Sequence, residues 1–123
     1  MYALSVVLLQ GDSRVAQSLA ASMAQAFHSV HAVQSLEELR ARIARQRAEV
    51  IVVDLELLSV SELQTLSKDF PGTSIVCTHR LADEEMWAST LSAGAADICY
   101  SHDTRAITRA ALKNVATRRS MAA

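Results

Sequence analysis

Asp54 directly follows Val50-Ile51-Val52-Val53, the most apolar run of the chain. A carboxylate in that place could attack phosphorus or hold a hard cation. It could equally be an end-of-strand acceptor for the backbone N–H groups of its own loop, and the residues alone leave both readings open. Cys77-Thr78-His79 suggests a Cys–His nucleophile, yet Cys77 falls inside a strand-like run and no third residue presents itself to orient the pair. His79 and His102 lack a third ligand of metal-site type, so they read as solvated loop histidines. Asp12 precedes a helical stretch, where capping is the ordinary role of an aspartate. Arg40, Arg42, Arg45 and Arg47 are interleaved or flanked by Glu37, Glu38 and Glu49, which describes a solvated helix face. With 12 Lys and Arg against 13 Asp and Glu, the net charge of −1 provides no basic footprint for nucleic acid.

These groups have to be positioned by regular elements, and the apolar pattern says which. Residues 4 to 9 form a near-continuous apolar run, the mark of a parallel strand covered on both faces. The period then changes to four: Val15, Leu19, Met23 and Phe27 predict a helix over 13 to 27, capped by Asp12 or Ser13. A weaker strand over 30 to 33 leads into Ser35-Leu36-Glu37-Glu38, a capping box that opens a helix carrying Leu36, Leu39 and Ile43. After the strand at 50 to 53, a second capping box at Ser59 to Glu62 opens a helix with Leu63 and Leu66, which Pro71-Gly72 ends.

Residues 74 to 77 read as the fourth strand, 83 to 93 as an acidic-started fourth helix ending at Gly94, and 97 to 100 as the fifth strand. A last helix over 104 to about 119 turns Ile107, Ala110, Ala111, Leu112 and Val115 inward. Five strand-helix alternations predict an α/β fold, a parallel sheet between two helix layers joined by right-handed crossovers. In such sheets the site lies beyond the carboxyl ends of the strands. The residues expected on that rim are Gln10, Gly11, Asp12, Asp54, Glu56, Thr78, His79, Ser101 and His102.

A chain of 123 residues, 50% hydrophobic, fits one domain over 1 to 123, with a linker expected to begin after 118. The apolar runs fall far short of the ~20 residues that a membrane-spanning helix needs, and no basic lead precedes the first strand, so the cytoplasm is the expected compartment. Cys77 and Cys99 both lie in apolar strands and read as core thiols.

Asp54 after a β-branched run, Thr78 after the fourth strand, Gly94-Ala95-Ala96-Asp97 before the fifth and the five βα units together resemble a receiver domain of bacterial two-component response regulators. The resemblance covers nearly the whole chain. It implies a three-layer doubly wound (βα)5 fold, flavodoxin-like with strand order 2-1-3-4-5. It also implies that Asp54 takes the place of the phosphoacceptor for a histidine kinase, that Asp12, Asp54 and the Glu56 backbone would surround Mg²⁺, and that Thr78 is the switch hydroxyl.

Several departures accompany the match. The family's acidic pair falls on Gln10 and Gly11, its lysine on Ser101 and the following proline on His102; Leu58, Glu62 and Ile98 also replace residues usual in the family. Without the lysine and the acidic pair, phosphoryl transfer lacks the positive charge it requires. The resulting expectation is an atypical, non-enzymatic receiver-like module. It would dock an output domain or a second copy, with little or no phosphorylation, through the fourth helix, fifth strand and fifth helix, with Met86, Trp87, Tyr100 and Ile107 as contacts. One alternative is a working receiver phosphorylated on Asp54 with Mg²⁺; another is a small enzyme or ligand sensor using Asp54, His79 and His102. No nucleic acid or membrane contact is expected of this domain.

Overall fold

The alternation of periods is realised as five βα units in a computed structural model that describes residues 4 to 81 and 83 to 122. The order is β1 (Ser5–Leu9), α1 (Ser13–Met23), β2 (Ser29–Val33), α2 (Leu36–Gln46), β3 (Val50–Asp54), α3 (Val60–Asp69), β4 (Ser74–His79), α4 (Glu84–Ser92), β5 (Asp97–Tyr100) and α5 (Thr104–Ala122). All pairings are parallel and the strand order is β2-β1-β3-β4-β5, as the resemblance implies.

The apolar runs are continuous because both faces of the central strands are buried. Val7, Leu9, Ile51, Val53, Ile75, Cys77 and Ile98 point to one face, where Leu39 and Ile43 of α2 and Leu63 and Leu66 of α3 cover them. Val6, Leu8, Val50, Val52 and Val76 point to the other, against Val15, Leu19 and Met23 of α1 and Ile107, Ala111 and Val115 of α5. α4 is the least embedded helix; Thr90 is its one buried residue, with Met86 half-buried against the first cluster.

Several boundaries differ from the sequence reading. α1 ends at Met23 instead of 27; the chain turns at residues 24 to 26, yet Phe27 N–H still bonds Met23 O at 2.8 Å, so Phe27 stays buried beneath the helix end. The Ser59–Glu62 capping box is complete in both directions. In the Ser35 box, Glu38 reaches back one residue further and accepts from Gln34 N–H at 3.3 Å. β4 runs two residues past its apolar stretch, so Thr78 and His79 are strand residues. α5 continues to Ala122, past the point where a linker was expected. Gly94 stands between α4 and β5 with φ of +113°, and a Cβ there would lie 2.2 Å from Ser67 Oγ on α3.

Candidate functional site

Asp54, Gln10 and Thr78 stand side by side at the carboxyl edge of the sheet. Asp54 is the register partner of Thr78, and Leu9 pairs with Val53, so the next step along β1 brings Gln10 beside Asp54. Strand alternation turns all three to the side covered by α1 and α5. Asp54 is 8% exposed. Its Oδ2 accepts Gly11 N–H at 3.2 Å and its Oδ1 accepts Glu56 N–H at 2.9 Å, so the loops after β1 and β3 both fold onto the carboxylate. Gly11 permits that approach, because a Cβ at this position would sit 3.3 Å from Asp54 Oδ2. Thr78 is 0% exposed and donates through Oγ1 to Gln10 Oε1 at 3.2 Å, bridging two strands that flank β3.

Above these groups lies a cleft of about 510 Å³ lined by Gln10, Gly11, Asp12, Asp54, Glu56, Leu57, Arg80, Ser101 and His102. Most of the rim expected from sequence is therefore brought together. Thr78 lies beneath it instead of on it, and His79 turns away to bond Leu81 N–H through Nδ1 at 2.9 Å, leaving Nε2 3.8 Å from Glu56 Oε1. Arg80 was missed. Its Nε lies 2.6 Å from Glu56 Oε1, and that hydrogen bond, the Glu56 charge and, after them, the Asp54 charge raise its guanidinium further above its ordinary range. The signal was the two-residue period: continuing β4 past Thr78 turns residue 80 to the same side.

Of the residues expected around Mg²⁺, Asp12 and Asp54 both have backbone partners. Asp12 caps α1 by accepting Arg14 N–H at 2.8 Å, and both Asp54 oxygens already take backbone N–H groups. The buried group without a partner beside them is Gln10 Nε2, a donor, where a metal needs an acceptor. Among the described residues no group of three His, Cys, Asp or Glu side chains could hold a metal ion. Every peptide bond among them is trans, Ser101–His102 included. Leu57 enters the rim, while Leu58 is buried in the core below it.

Of the contacts expected on the docking face, Trp87 and Tyr100 are 50% and 57% exposed. Ile107 is corrected: it is 0% exposed and packs beneath α5, since its place in the inward stripe of that helix leaves it no path to solvent. Met86 is half-buried against the core and lines a separate groove between α3 and α4. Arg40 pairs with Asp69 and lies 5.4 Å over the Phe70 ring, which ties α2 to α3 and accounts for part of the arginine run.

The thiols are structural. Cys77 and Cys99 occupy adjacent strands, but Cys77 faces the α2–α3 side and Cys99 the α1–α5 side, which rules out a disulfide. Burial first, then the charge of Cys99, pushes the Cys77 thiol up to about 12. Burial first, then Asp97 and Asp103, pushes Cys99 up to about 11. Because the folded state raises both values, it favours the neutral thiols; that contribution is present below pH 9 and is lost as pH climbs toward 11 to 12. At pH 8 the folded protein is expected to react with iodoacetamide at Cys77 at least about a hundredfold more slowly than the urea-unfolded chain. Comparable rates would contradict the burial of this thiol.

No helix among the described residues is long and apolar enough to cross a membrane. No protein-family model matches the sequence, and no curated protein matches it. Solved structures do match. NtrX from Brucella abortus superposes with a TM-score of 0.86 at 15% identity, covering 98% of this chain and 28% of that one. A response regulator from Thermotoga maritima gives 0.85 at 14% identity over 94% of this chain and 99% of its own. A CheY-like response regulator receiver domain protein from Methanospirillum hungatei gives 0.83 at 15% identity over 98% and 99%. The chain thus has the fold of response regulator receiver domains, and it spans little more than a quarter of the NtrX chain.

Proposed function

We propose that this receiver-fold domain is an atypical two-component signalling module that binds a second copy of itself through α4, β5 and α5 and is not switched by phosphorylation of Asp54. The observation that carries the reading is the surroundings of Tyr100. On one side a hollow of about 160 Å³ is lined by Asp83, Glu84, Trp87 and Tyr100. On the other side Tyr100 shares a second hollow with Asp97 and Asp103 as well as with Arg109 and Lys113 of α5. The exposed aromatic pair lies between the acidic start of α4 and α5, whose charged residues are all basic, so a two-fold axis through it would set the acidic start of one α4 against the α5 of the other.

Sedimentation velocity across the micromolar to millimolar range tests this surface. Self-association is expected, with Tyr100→Ala weakening it about tenfold or more. Arg109→Glu weakens it about fivefold, and adding Glu84→Arg restores it. A strictly monomeric wild type would sink the self-docking reading and leave an output domain as the partner.

The absence of phosphoryl chemistry is supported by the site. Asp12 caps α1, each Asp54 oxygen accepts a backbone N–H, Ser101 brings no charge to the cleft, and the one arginine lining it is held by Glu56. Incubation with acetyl phosphate and Mg²⁺ is expected to leave the intact mass unchanged. A gain of about 80 Da that disappears in Asp54→Asn would instead make this a working receiver.

A further inference from the structure

Most polar contacts at the rim join neighbours in sequence or in the sheet. The Gln10–Thr78 bond joins neither: it spans 68 residues and connects β1 to β4 over the end of β3, which lies between them. Asp54 sits directly below that span, between the two residues in register and on the same face. The acceptor of the bond comes from the first residue past β1 and the donor from the penultimate residue of β4, just where the chain leaves the sheet for α4.

We propose that Gln10 is a positioning residue that latches the rim: by holding the buried Thr78 hydroxyl across β3, it fixes the end of β4 and the start of the α4 connection in one conformation, with no substituent on Asp54. The inference rests on the reading of the domain as one not switched at Asp54, and it explains how the docking face can be set permanently.

Three observations support the latch. Thr78 is fully buried, so its hydroxyl has no solvent to turn to if Gln10 is lost, and an unsatisfied buried hydroxyl is unfavourable. The end of β4 is tied to its surroundings by two backbone bonds, Leu55 N–H to Thr78 O at 2.9 Å and Ser101 N–H to His79 O at 3.1 Å, and by one bond from backbone to side chain, Leu81 N–H to His79 Nδ1 at 2.9 Å. The helix that follows is the least embedded of the five, so beyond these bonds and the Arg80–Glu56 pair the core adds little restraint to the connection. The bond also leaves Gln10 Nε2 buried without a partner. An apolar side chain of the same length would avoid that penalty, so the amide is better explained by what it holds than by the stability it adds.

Replacing both partners of a buried bond by apolar groups of similar shape is close to neutral, so Gln10→Met, Thr78→Val and their combination should fold. Amide hydrogen exchange at Leu55, Leu81 and Ser101 reads the end of β4 directly, and Val52 in the sheet core serves as the reference. Each single variant is expected to speed exchange at the three reporters about tenfold with Val52 unchanged, the double variant to exceed neither, and Thr78→Ser, which keeps the hydroxyl, to match the wild type. Unchanged reporters, a double variant equal to the product of the singles, a shift that includes Val52, or Thr78→Ser behaving like Thr78→Val would each overturn the latch. The readout requires neither self-association nor a phosphodonor, so a monomeric or phosphorylatable protein would defeat the proposed function while leaving this result standing.

Discussion

Gly94→Ala is expected to lower the stability of the fold by about 3 kcal/mol, from two separable causes. The backbone at Gly94 has φ of +113°, a region in which an L-residue is strained by about 1 to 2 kcal/mol. The added methyl would also enter α3, 2.2 Å from Ser67 Oγ and 2.6 Å from Ser67 Cβ, and overpacking of that kind costs about 1 to 3 kcal/mol. Urea denaturation followed at Trp87 measures the sum, and a thermal midpoint lower by roughly 10 to 15 °C should accompany it. Ser67→Gly removes both clashing atoms, so Gly94→Ala made in that background should cost only the backbone part. An equal cost in both backgrounds would show that α3 yields without resistance and that strain at Gly94 is the whole effect. A loss below about 0.5 kcal/mol, within the range of an ordinary surface substitution, would contradict both causes.

Gly94 also illustrates how a sequence signal can be right in place and incomplete in reason. Its position after the fourth helical run marks a helix end, and it does end α4, but the contact that forbids any side chain comes from α3, twenty-seven residues earlier, which no local pattern contains. The same division runs through the rest of the chain. The alternation of a two-sided apolar run with a four-residue stripe placed every strand and helix, because burial on both faces leaves that trace in residue type. Boundaries slipped where a bond outlasted the regular element: Phe27 is held under α1 by a bond to Met23 after the helix has ended, and β4 extends because Thr78 still pairs with β3 and β5 and His79 with β5. Ile107 was assigned both to an inward stripe and to an exposed surface, and the periodic argument proved the stronger one.

At the rim, proximity to Asp54 was legible and hydrogen-bond direction was not. Gln10 was recognised as a departure at an acidic position, yet its bond to Thr78 depends on a rotamer and on strand order, which residue type does not encode. Arg80 went unread because the apolar run that defined the fourth strand stops at Cys77, and the phase of a strand cannot be continued past an end placed too early.

Asp54→Ala tests whether the carboxylate at the centre of this rim is part of the fold, and it is expected to cost about 2 to 4 kcal/mol. Gly11 N–H and Glu56 N–H both end on Asp54, and alanine would strand them in a partly buried place at about 1 to 3 kcal/mol each, reduced where water can enter from the cleft. Asp54→Asn is the discriminating companion. Its single oxygen can serve one donor while its amide nitrogen meets the other N–H unfavourably, so the expected loss is about half that of alanine. If the carboxylate were held only for phosphoryl chemistry, neither substitution would move the urea midpoint. If it is a clasp between the loops after β1 and β3, stability should fall in the order Asp, Asn, Ala. Exchange at Gly11 and Glu56 should then rise with the loss, since those amides give up their acceptor first. A carboxylate that the fold needs has a reason to remain at the end of β3 whether or not it is ever phosphorylated, and that separates the resemblance carried by Asp54 from the chemistry the resemblance would imply.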